Sequence, residues 1–175
     1  GRVVTPHKND IAAIVRPFVF RKYLDYNTYE AMRGLHRQIR AEVGKKGMED
    51  NIKPGAGGIR EIEFIAQIFQ MIRAGRLKTL QLKGTQETLR QLAVQNIIPA
   101  HTADTLLEAY RFLRQLEHRL QYWDDLQTQT LPQDGVQRQL LAESMGYNDY
   151  EAFSDGLNAP RAAVTAEFDN ILSEP

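Results

Sequence analysis

A glycine-rich segment that runs directly into an apolar stretch carries the residues best suited to chemistry in this chain. Gly55, Gly57 and Gly58 fall within four positions, and the apolar stretch begins at Ile59. Glycine can take a positive φ, and it lets a ligand or another part of the backbone approach closely. The first N–H groups of a helix lack partners inside the helix, and its dipole places partial positive charge there. The pattern therefore predicts a binding site for an anion such as phosphate at this loop.

Charged side chains flank the glycines. Lys53 and Arg60 would add positive charge to the predicted anion site. Glu61 and Glu63 lie in the first turns of the following helix, where a carboxylate stabilises the helix dipole whether or not a ligand binds. Arg60 and Glu63 share a helix face and can pair, either on the surface or at the edge of a cleft, where the pair would hold Arg60 for a phosphate. The alternative is a glycine-rich turn that binds nothing.

The elements around this loop are predicted to be helices. After Ile59, apolar residues recur every three or four positions, which predicts a helix that buries one face and stops near Gly75. A longer helix over residues 28–46, capped by Asn27, precedes the loop. Its predicted inner stripe consists of Tyr29, Met32, Leu35, Ile39 and Val43, and its outer face carries Arg33, Arg37 and Arg40. That basic face is typical of a solvated surface, but it could also flank an anionic ligand together with the loop.

Further helices are predicted on both sides of this unit. The first helix after it begins at Thr85 and has an inner face of Leu89, Leu92, Ala93 and Asn96. A long helix capped by Thr102 follows over residues 103–126, and then a helix over residues 134–145. Asn148 caps the last helix, which Pro160 should kink or split. Before it come a short helix at residues 9–15 and an apolar segment at residues 18–24 that includes Arg21. No stretch predicts a strand. The expected fold class is all-α, a bundle of about six to eight helices in one or two sub-bundles and a single domain over residues 1–175.

Composition excludes several classes of function. The 22 basic and 22 acidic residues balance, so no global charge points to nucleic acid or to a membrane surface. Without cysteine there is no disulfide, thiolate zinc site or thiol nucleophile, and the four histidines are too scattered for a metal cluster. No apolar run is long enough to span a bilayer and no secretory signal is visible, which predicts a cytoplasmic protein. Because the chain starts at Gly1 without an initiator methionine, we expect a piece of a longer protein.

The loop and its helix resemble a signature of the glutamine synthetase adenylyltransferases. The stretch that carries the likeness reads Lys53-Pro-Gly-Ala-Gly-Gly-Ile-Arg-Glu-Ile-Glu-Phe64. Residues 16–25, 112–121, 127–132 and 145–147 resemble the same family in the same order. The resemblance covers nearly the whole chain from about residue 14 onward.

This resemblance implies a function for a larger enzyme. Members of the family have two nucleotidyltransferase heads, each followed by a helical domain, and this chain looks like the helical domain after the N-terminal head. That head removes AMP from a tyrosine of adenylylated glutamine synthetase with phosphate as acceptor, the other head transfers AMP from ATP, and a PII signalling protein regulates both. The family holds Mg²⁺ with an Asp-x-Asp arrangement on strands of the head, which this sequence lacks. We therefore expect no catalytic residue, no metal site and no required cofactor here, with the head upstream in cis.

The family also implies which residues face the nucleotide. One wall of the cleft for AMP, ADP or phosphate would consist of Lys53, Gly55, Gly57, Gly58 and Arg60. Arg21 would support this wall, and Glu61 or Glu63 would orient Arg60. Two other interpretations remain open at this point. The helices could dock glutamine synthetase or the PII protein without binding nucleotide, or they could act as a spacer between two heads.

Overall fold

Six α-helices make up most of the structure, a computed structural model that describes Val15 and residues 27–124 and 129–173. In chain order they are α1 (Asn27–Lys45), α2 (Ile59–Arg73), α3 (Thr85–Val94), α4 (Ala100–Asp124), α5 (Gly135–Ser144) and α6 (Tyr150–Ser173), with a 3-10 turn at Lys78–Leu80. The described residues contain no β-strand, so the all-α prediction is confirmed. No helix in this part of the chain is both long and apolar enough to cross a membrane. The predictions for residues 9–24, Arg21 included, lie outside the described residues, although Val15 itself is helical.

Helix α2 lies at the centre of the bundle and packs against α3, α4 and α6. Its buried side chains recur every three or four residues, as predicted, and they are Ile59, Ile62, Ile65, Ala66 and Ile68. From α4 and α6 the core receives Leu106, Leu113, Leu116, Phe153, Val164 and Phe168. Each large apolar side chain buried in this way stabilises the fold by about 1.5–3 kcal/mol.

Several predicted helix ends are confirmed and others are wrong. Helix α2 begins at Ile59, and Asp134 caps α5 by accepting hydrogen bonds from two backbone N–H groups of its first turn. Helix α4 begins before Thr102, because the carbonyl of Pro99 already accepts the N–H of Ala103 at 3.1 Å. The Thr102 hydroxyl donates instead to Glu167 on α6, at 3.0 Å. Helix α6 continues through Pro160 without being split.

Other corrections concern which residues face inward or take special backbone angles. On α1, Leu35 is 50 % exposed while His36 is only 6 % exposed, so the predicted inner stripe is wrong at Leu35. Asn96, predicted to be inside, is exposed and has a φ of +52° just after α3. The residue after α2 is Ala74 in right-handed geometry, so this helix ends near Gly75 without a left-handed glycine.

All three loop glycines lie too close to other backbone atoms to carry a side chain, and at Gly57 those atoms belong to α6. Gly57 has a φ of +66°, and a Cβ added there would lie 2.6 Å from the carbonyl carbon and 2.7 Å from the Cα of Arg161 on α6. Real Cβ atoms do not approach other atoms so closely. The absence of a side chain at Gly57 therefore lets α6 rest directly on the loop.

We expect Gly57→Ala to lower the free energy of unfolding of the chain by about 3 kcal/mol, since the left-handed backbone and the overpacking against Arg161 both oppose the new methyl group. Urea denaturation followed by circular dichroism measures the change.

Gly44→Ala is the matched control, because Gly44 is an exposed helical residue with nothing described within 4 Å of its added Cβ. This variant should gain about 0.5–1 kcal/mol of stability. Equal effects of the two substitutions would show that the contact between the loop and α6 is unimportant.

Candidate functional site

The backbone of the glycine-rich loop is closed on itself. The N–H of Gly55 donates to the carbonyl of Asn51 at 3.0 Å, and the N–H of Gly58 donates to the carbonyl of Gly55 at 2.9 Å. The N–H of Gly57 donates to the Glu61 carboxylate at 2.9 Å. All three glycines are buried. The prediction that these amides are free to bind an anion is therefore wrong, because turns within the loop and one side chain already satisfy them.

The first turn of α2 is also satisfied from within the chain. The N–H groups of Ile59 and Arg60 donate to the carbonyls of Ile52 and Lys53, each at 3.1 Å. Glu61 is the third residue of the helix and reaches back to the amide of Gly57, as in a capping box displaced by one residue. The positive end of the α2 dipole is therefore next to carbonyl oxygens of the preceding loop and the carboxylate of Glu61, all within the same chain.

Glu61 is a buried carboxylate, only 4 % exposed, that joins α1 to α2 and to the loop. Its Oε1 accepts from Arg40 Nε at 2.8 Å and lies 3.2 Å from His36 Nε2. Burial alone would raise the pKa of Glu61, but hydrogen bonds from His36, Arg40 and the Gly57 amide lower that pKa below its ordinary value. The carboxylate is consequently held in its charged form.

Glu117 on α4 is a second buried carboxylate, 2 % exposed. It accepts hydrogen bonds from Lys53 Nζ at 3.2 Å, from Arg114 Nη1 at 2.6 Å and from Gln129 Nε2 at 3.2 Å. The carbonyl of Gln129 in turn accepts the N–H of Ile52 at 2.9 Å. Glu117 therefore ties the loop and the segment after α4 to one helix, and it holds the ammonium group of Lys53.

A cleft of about 280 Å³ lies between α1 and the start of α2. Ile39, Pro54 and Phe64 contribute apolar surface to its lining, and Lys53, Arg60 and Glu63 contribute charge. Arg60 is exposed. Two of the residues predicted to bind nucleotide or phosphate therefore line the same cavity, namely Lys53 and Arg60. The three predicted glycines do not line it, because they are buried in the loop.

The predicted roles of Glu61 and Glu63 in orienting Arg60 do not match the contacts. Glu61 points into the bundle and pairs with Arg40. Glu63 accepts from the Tyr110 hydroxyl of α4 at 3.2 Å. Burial raises the pKa of the Tyr110 phenol, and the neighbouring Glu63 carboxylate raises it further. Among the described residues, neither carboxylate holds the Arg60 guanidinium.

Sequence reasoning missed three residues that build this site. The sequence pattern predicts Arg40 on the outer face of α1 and indicates no role for Glu117 or Arg161. Arg161 donates to the carbonyls of Ala56 at 3.0 Å and Glu49 at 2.8 Å, which clamps the loop onto α6. Arg114 and Glu117 pair one turn apart on α4, and this spacing was the only local signal for any of the three. Arg40 and Arg161 contact residues far away in the sequence.

The described residues contain no cluster of three or more side chains able to hold a metal ion. In residues 27–124 and 129–173, no three carboxylate or histidine side chains converge in a way that could hold a metal ion. The carboxylates Glu61 and Glu117 are instead fully engaged by cationic and amide donors.

Comparison with known proteins gives a consistent assignment. A family model described as GlnD PII-uridylyltransferase matches residues 30–172. A bifunctional glutamine synthetase adenylyltransferase/adenylyl-removing enzyme of Neisseria meningitidis serogroup A is 70 % identical over all 175 residues. Proteins of the same description from Chromobacterium violaceum and Psychromonas ingrahamii are 54 % identical over 175 residues and 44 % identical over 168 residues.

The chain is short relative to these proteins. Its match covers 20 % of the Neisseria and Chromobacterium relatives and 18 % of the Psychromonas relative, against 96–100 % of the chain itself. The resemblance noted from the loop and four other segments is thereby confirmed. The chain belongs to the GlnD PII-uridylyltransferase family, together with the bifunctional glutamine synthetase adenylyltransferase/adenylyl-removing enzymes.

Proposed function

We propose that this chain is a helical segment of a larger cytoplasmic nucleotidyltransferase that adds AMP to glutamine synthetase and removes it by phosphorolysis. In that enzyme the cleft between α1 and α2 would form one wall of the site where the adenylyl-removing head handles AMP and phosphate. The head, upstream in cis, would supply Mg²⁺ and the carboxylates that hold it, and ATP, ADP and phosphate would be substrates or products of the whole enzyme. A PII signalling protein would regulate it.

One observation supports this proposal above the others, the exposed Arg60 at the rim of the cleft. The other cations of the cleft form ion pairs, Arg40 with Glu61 at 2.8 Å and Lys53 with Glu117 at 3.2 Å. One nitrogen of Arg40, Nη2, has no hydrogen-bond partner in the described part of the chain. An exposed guanidinium on the first turn of a helix can bind two oxygens of a phosphate in a bidentate manner. Within the part of the chain that the structure describes, Arg60 would break no ion pair in doing so. Arg60 is therefore the residue that we assign to the anion.

The remaining residues of the motif would act indirectly. Lys53, 26 % exposed at its side chain, would add positive charge from a position that Glu117 fixes. Gly55, Gly57 and Gly58 would shape the loop under α6 without donating hydrogen bonds to the ligand. Glu61 would hold the loop and α1 together through its hydrogen bonds to Gly57 and Arg40.

A second candidate function is supported by the closed loop itself. Because the glycine amides and both buried carboxylates are satisfied internally, the segment could serve as a rigid module that docks glutamine synthetase or the PII protein and binds no nucleotide. The two proposals differ in what they require of Arg60, and the following test separates them.

In the full-length enzyme that carries this segment, Arg60→Ala should raise the KM for phosphate in deadenylylation about tenfold, because a charge-assisted hydrogen bond is worth about 1.5–3 kcal/mol. Steady-state kinetics on adenylylated glutamine synthetase measures it. Arg119→Ala, which removes an exposed arginine of α4 outside the cleft lining, is the matched control.

If Arg60→Ala and Arg119→Ala give the same KM while both enzymes still bind glutamine synthetase, the docking module replaces the nucleotide wall. Lys53→Ala is a weaker probe, since it also removes a partner of the buried Glu117. Thermal melting of each variant shows whether a kinetic loss reflects unfolding.

Glu61→Gln should destabilise the chain by about 2–3 kcal/mol at neutral pH, because the neutral amide leaves Arg40 without its buried partner. This loss is below the usual range of about 3–5 kcal/mol, because the Arg40 side chain is 32 % exposed and keeps its ion pair with Asp169 at 2.9 Å. The folded-state pKa of Glu61 is depressed, so its stabilising effect is present above the ordinary glutamate pKa of about 4.3 and is lost as the pH falls below it.

Urea denaturation at neutral and acidic pH checks this dependence. The stability gap between the wild-type chain and Glu61→Gln should shrink on acidification. Glu108→Gln, at an exposed position of α4, should show almost no gap at either pH. A gap for Glu61→Gln that stays constant with pH would contradict a role for the ionised carboxylate.

A further inference from the structure

A small cavity between α1 and α6 is lined mainly by cations. Its volume is about 170 Å³, smaller than that of the cleft between α1 and α2. Helix α1 contributes three arginines and one histidine to the lining, and α6 contributes one carboxylate and one apolar side chain. These residues are Arg33, His36, Arg37, Arg40, Asp169 and Leu172. The cavity therefore places three guanidinium groups around one space that holds a single acid.

The three arginines repel one another. Arg33, Arg37 and Arg40 lie four and three residues apart, so they share one face of α1. Like charges at this spacing lower the stability of a helix. An anion in the cavity would relieve this repulsion, which the Asp169 carboxylate offsets only in part.

Two of the arginines can reach a ligand at little cost. Arg37 is exposed, and within the described part of the chain its side chain makes no hydrogen bond or ion pair. Arg33 pairs with Glu30 at 3.1 Å, but the two side chains are 35 % and 57 % exposed, and surface pairs of this kind are weak. Neither guanidinium would give up a buried partner to bind an anion.

The third arginine, Arg40, is a fixed positive charge beside them. Its Nε donates to Glu61 at 2.8 Å and its Nη1 donates to Asp169 at 2.9 Å, while the guanidinium lies over the ring of Phe168, 5.4 Å from the centroid. Its Nη2 is buried without a hydrogen-bond partner among the described residues. A charge that is already fixed loses no conformational entropy when an anion binds next to it.

We propose that this cavity binds inorganic phosphate, with Arg33 and Arg37 contacting the ion and Arg40 adding charge from behind. Guanidinium groups match the geometry of phosphate oxygens, and a phosphate group offers several strong acceptors and up to about two negative charges. Pockets for drug-sized ligands usually measure about 300–1,000 Å³, so this smaller space suits an ion better than a nucleotide.

The proposed site is separate from the one assigned to Arg60. His36 and Arg40 line both cavities, whereas Arg33 and Arg37 line only the cavity between α1 and α6, and Arg60 lines only the cleft. The inference therefore does not depend on the function proposed for the cleft.

The test titrates the full chain carrying Arg60→Ala with inorganic phosphate at constant ionic strength and follows the backbone amide signals by heteronuclear NMR. Arg60→Ala removes the cation assigned to the cleft, so the remaining binding reports on the other cavity. We expect saturable shifts in residues 33–40 and 169–172. Adding Arg37→Ala should weaken the binding about tenfold, because its hydrogen bonds to phosphate are charge-assisted.

Arg119→Ala in the same background is the matched control, because Arg119 is an exposed arginine of α4 that lines neither cavity. It should leave the affinity for phosphate unchanged. Without phosphate, Arg37→Ala should melt at the same temperature as its parent chain or higher, because the substitution removes repulsion and no described polar contact. A lower melting temperature would show a structural role for Arg37 and would overturn the assignment.

Equal affinities of the Arg37→Ala and Arg119→Ala chains, or no saturable shifts in residues 33–40, would overturn the proposal. Titration with AMP identifies the source of the phosphate group. Tighter binding of AMP than of inorganic phosphate at these residues would overturn the assignment to the free ion.

Discussion

Two carboxylates that are almost completely removed from water determine how the glycine-rich loop is built. Moving a charged carboxylate out of water is strongly unfavourable unless donors surround it. Glu61 obtains those donors from α1 and from the loop amide of Gly57, and Glu117 obtains them from Lys53, Arg114 and Gln129. The need to satisfy these two groups therefore brings α1, the loop, α4 and the segment after α4 into one arrangement.

The same constraint divides the cations near the cleft into two sets. Arg40 and Lys53 face carboxylates inside the bundle and are part of its structure. Arg60 projects from the first turn of α2 at the cleft and is exposed. The sequence alone does not distinguish these three cations, since each lies near the loop or contacts it. Their ion pairs in the structure distinguish Arg40 and Lys53, which have carboxylate partners, from the exposed Arg60.

Local patterns predicted much of the fold, and contacts between distant residues account for most of the errors. The start of α2 at Ile59 and the position of α5 over Gly135–Ser144 follow from apolar periodicity and helix-end signals within a few residues. The ion pair of Arg40 with Glu61 does not follow from local pattern, because Glu61 lies 21 positions further along the chain. The closed glycine loop was missed because its clamp, Arg161, follows Ala56 by 105 positions. Three neighbouring glycines indicate a close approach, but they do not identify what approaches.

The clamp from α6 has a consequence for the order in which the chain can fold. During synthesis the loop leaves the ribosome long before Arg161 does, since the two are separated by most of the described sequence. Until α6 is made, Gly57 has no helix to rest on and the carbonyls of Ala56 and Glu49 lack their guanidinium donor. The hydrogen bonds within the loop and from Gly57 to Glu61 join near neighbours in the sequence and do not need α6, whereas the bonds from Arg161 can form only after α6 has been made. The segment that looks most like a self-contained motif in the sequence thus obtains its last hydrogen-bond donor only when the final described helix has been synthesised.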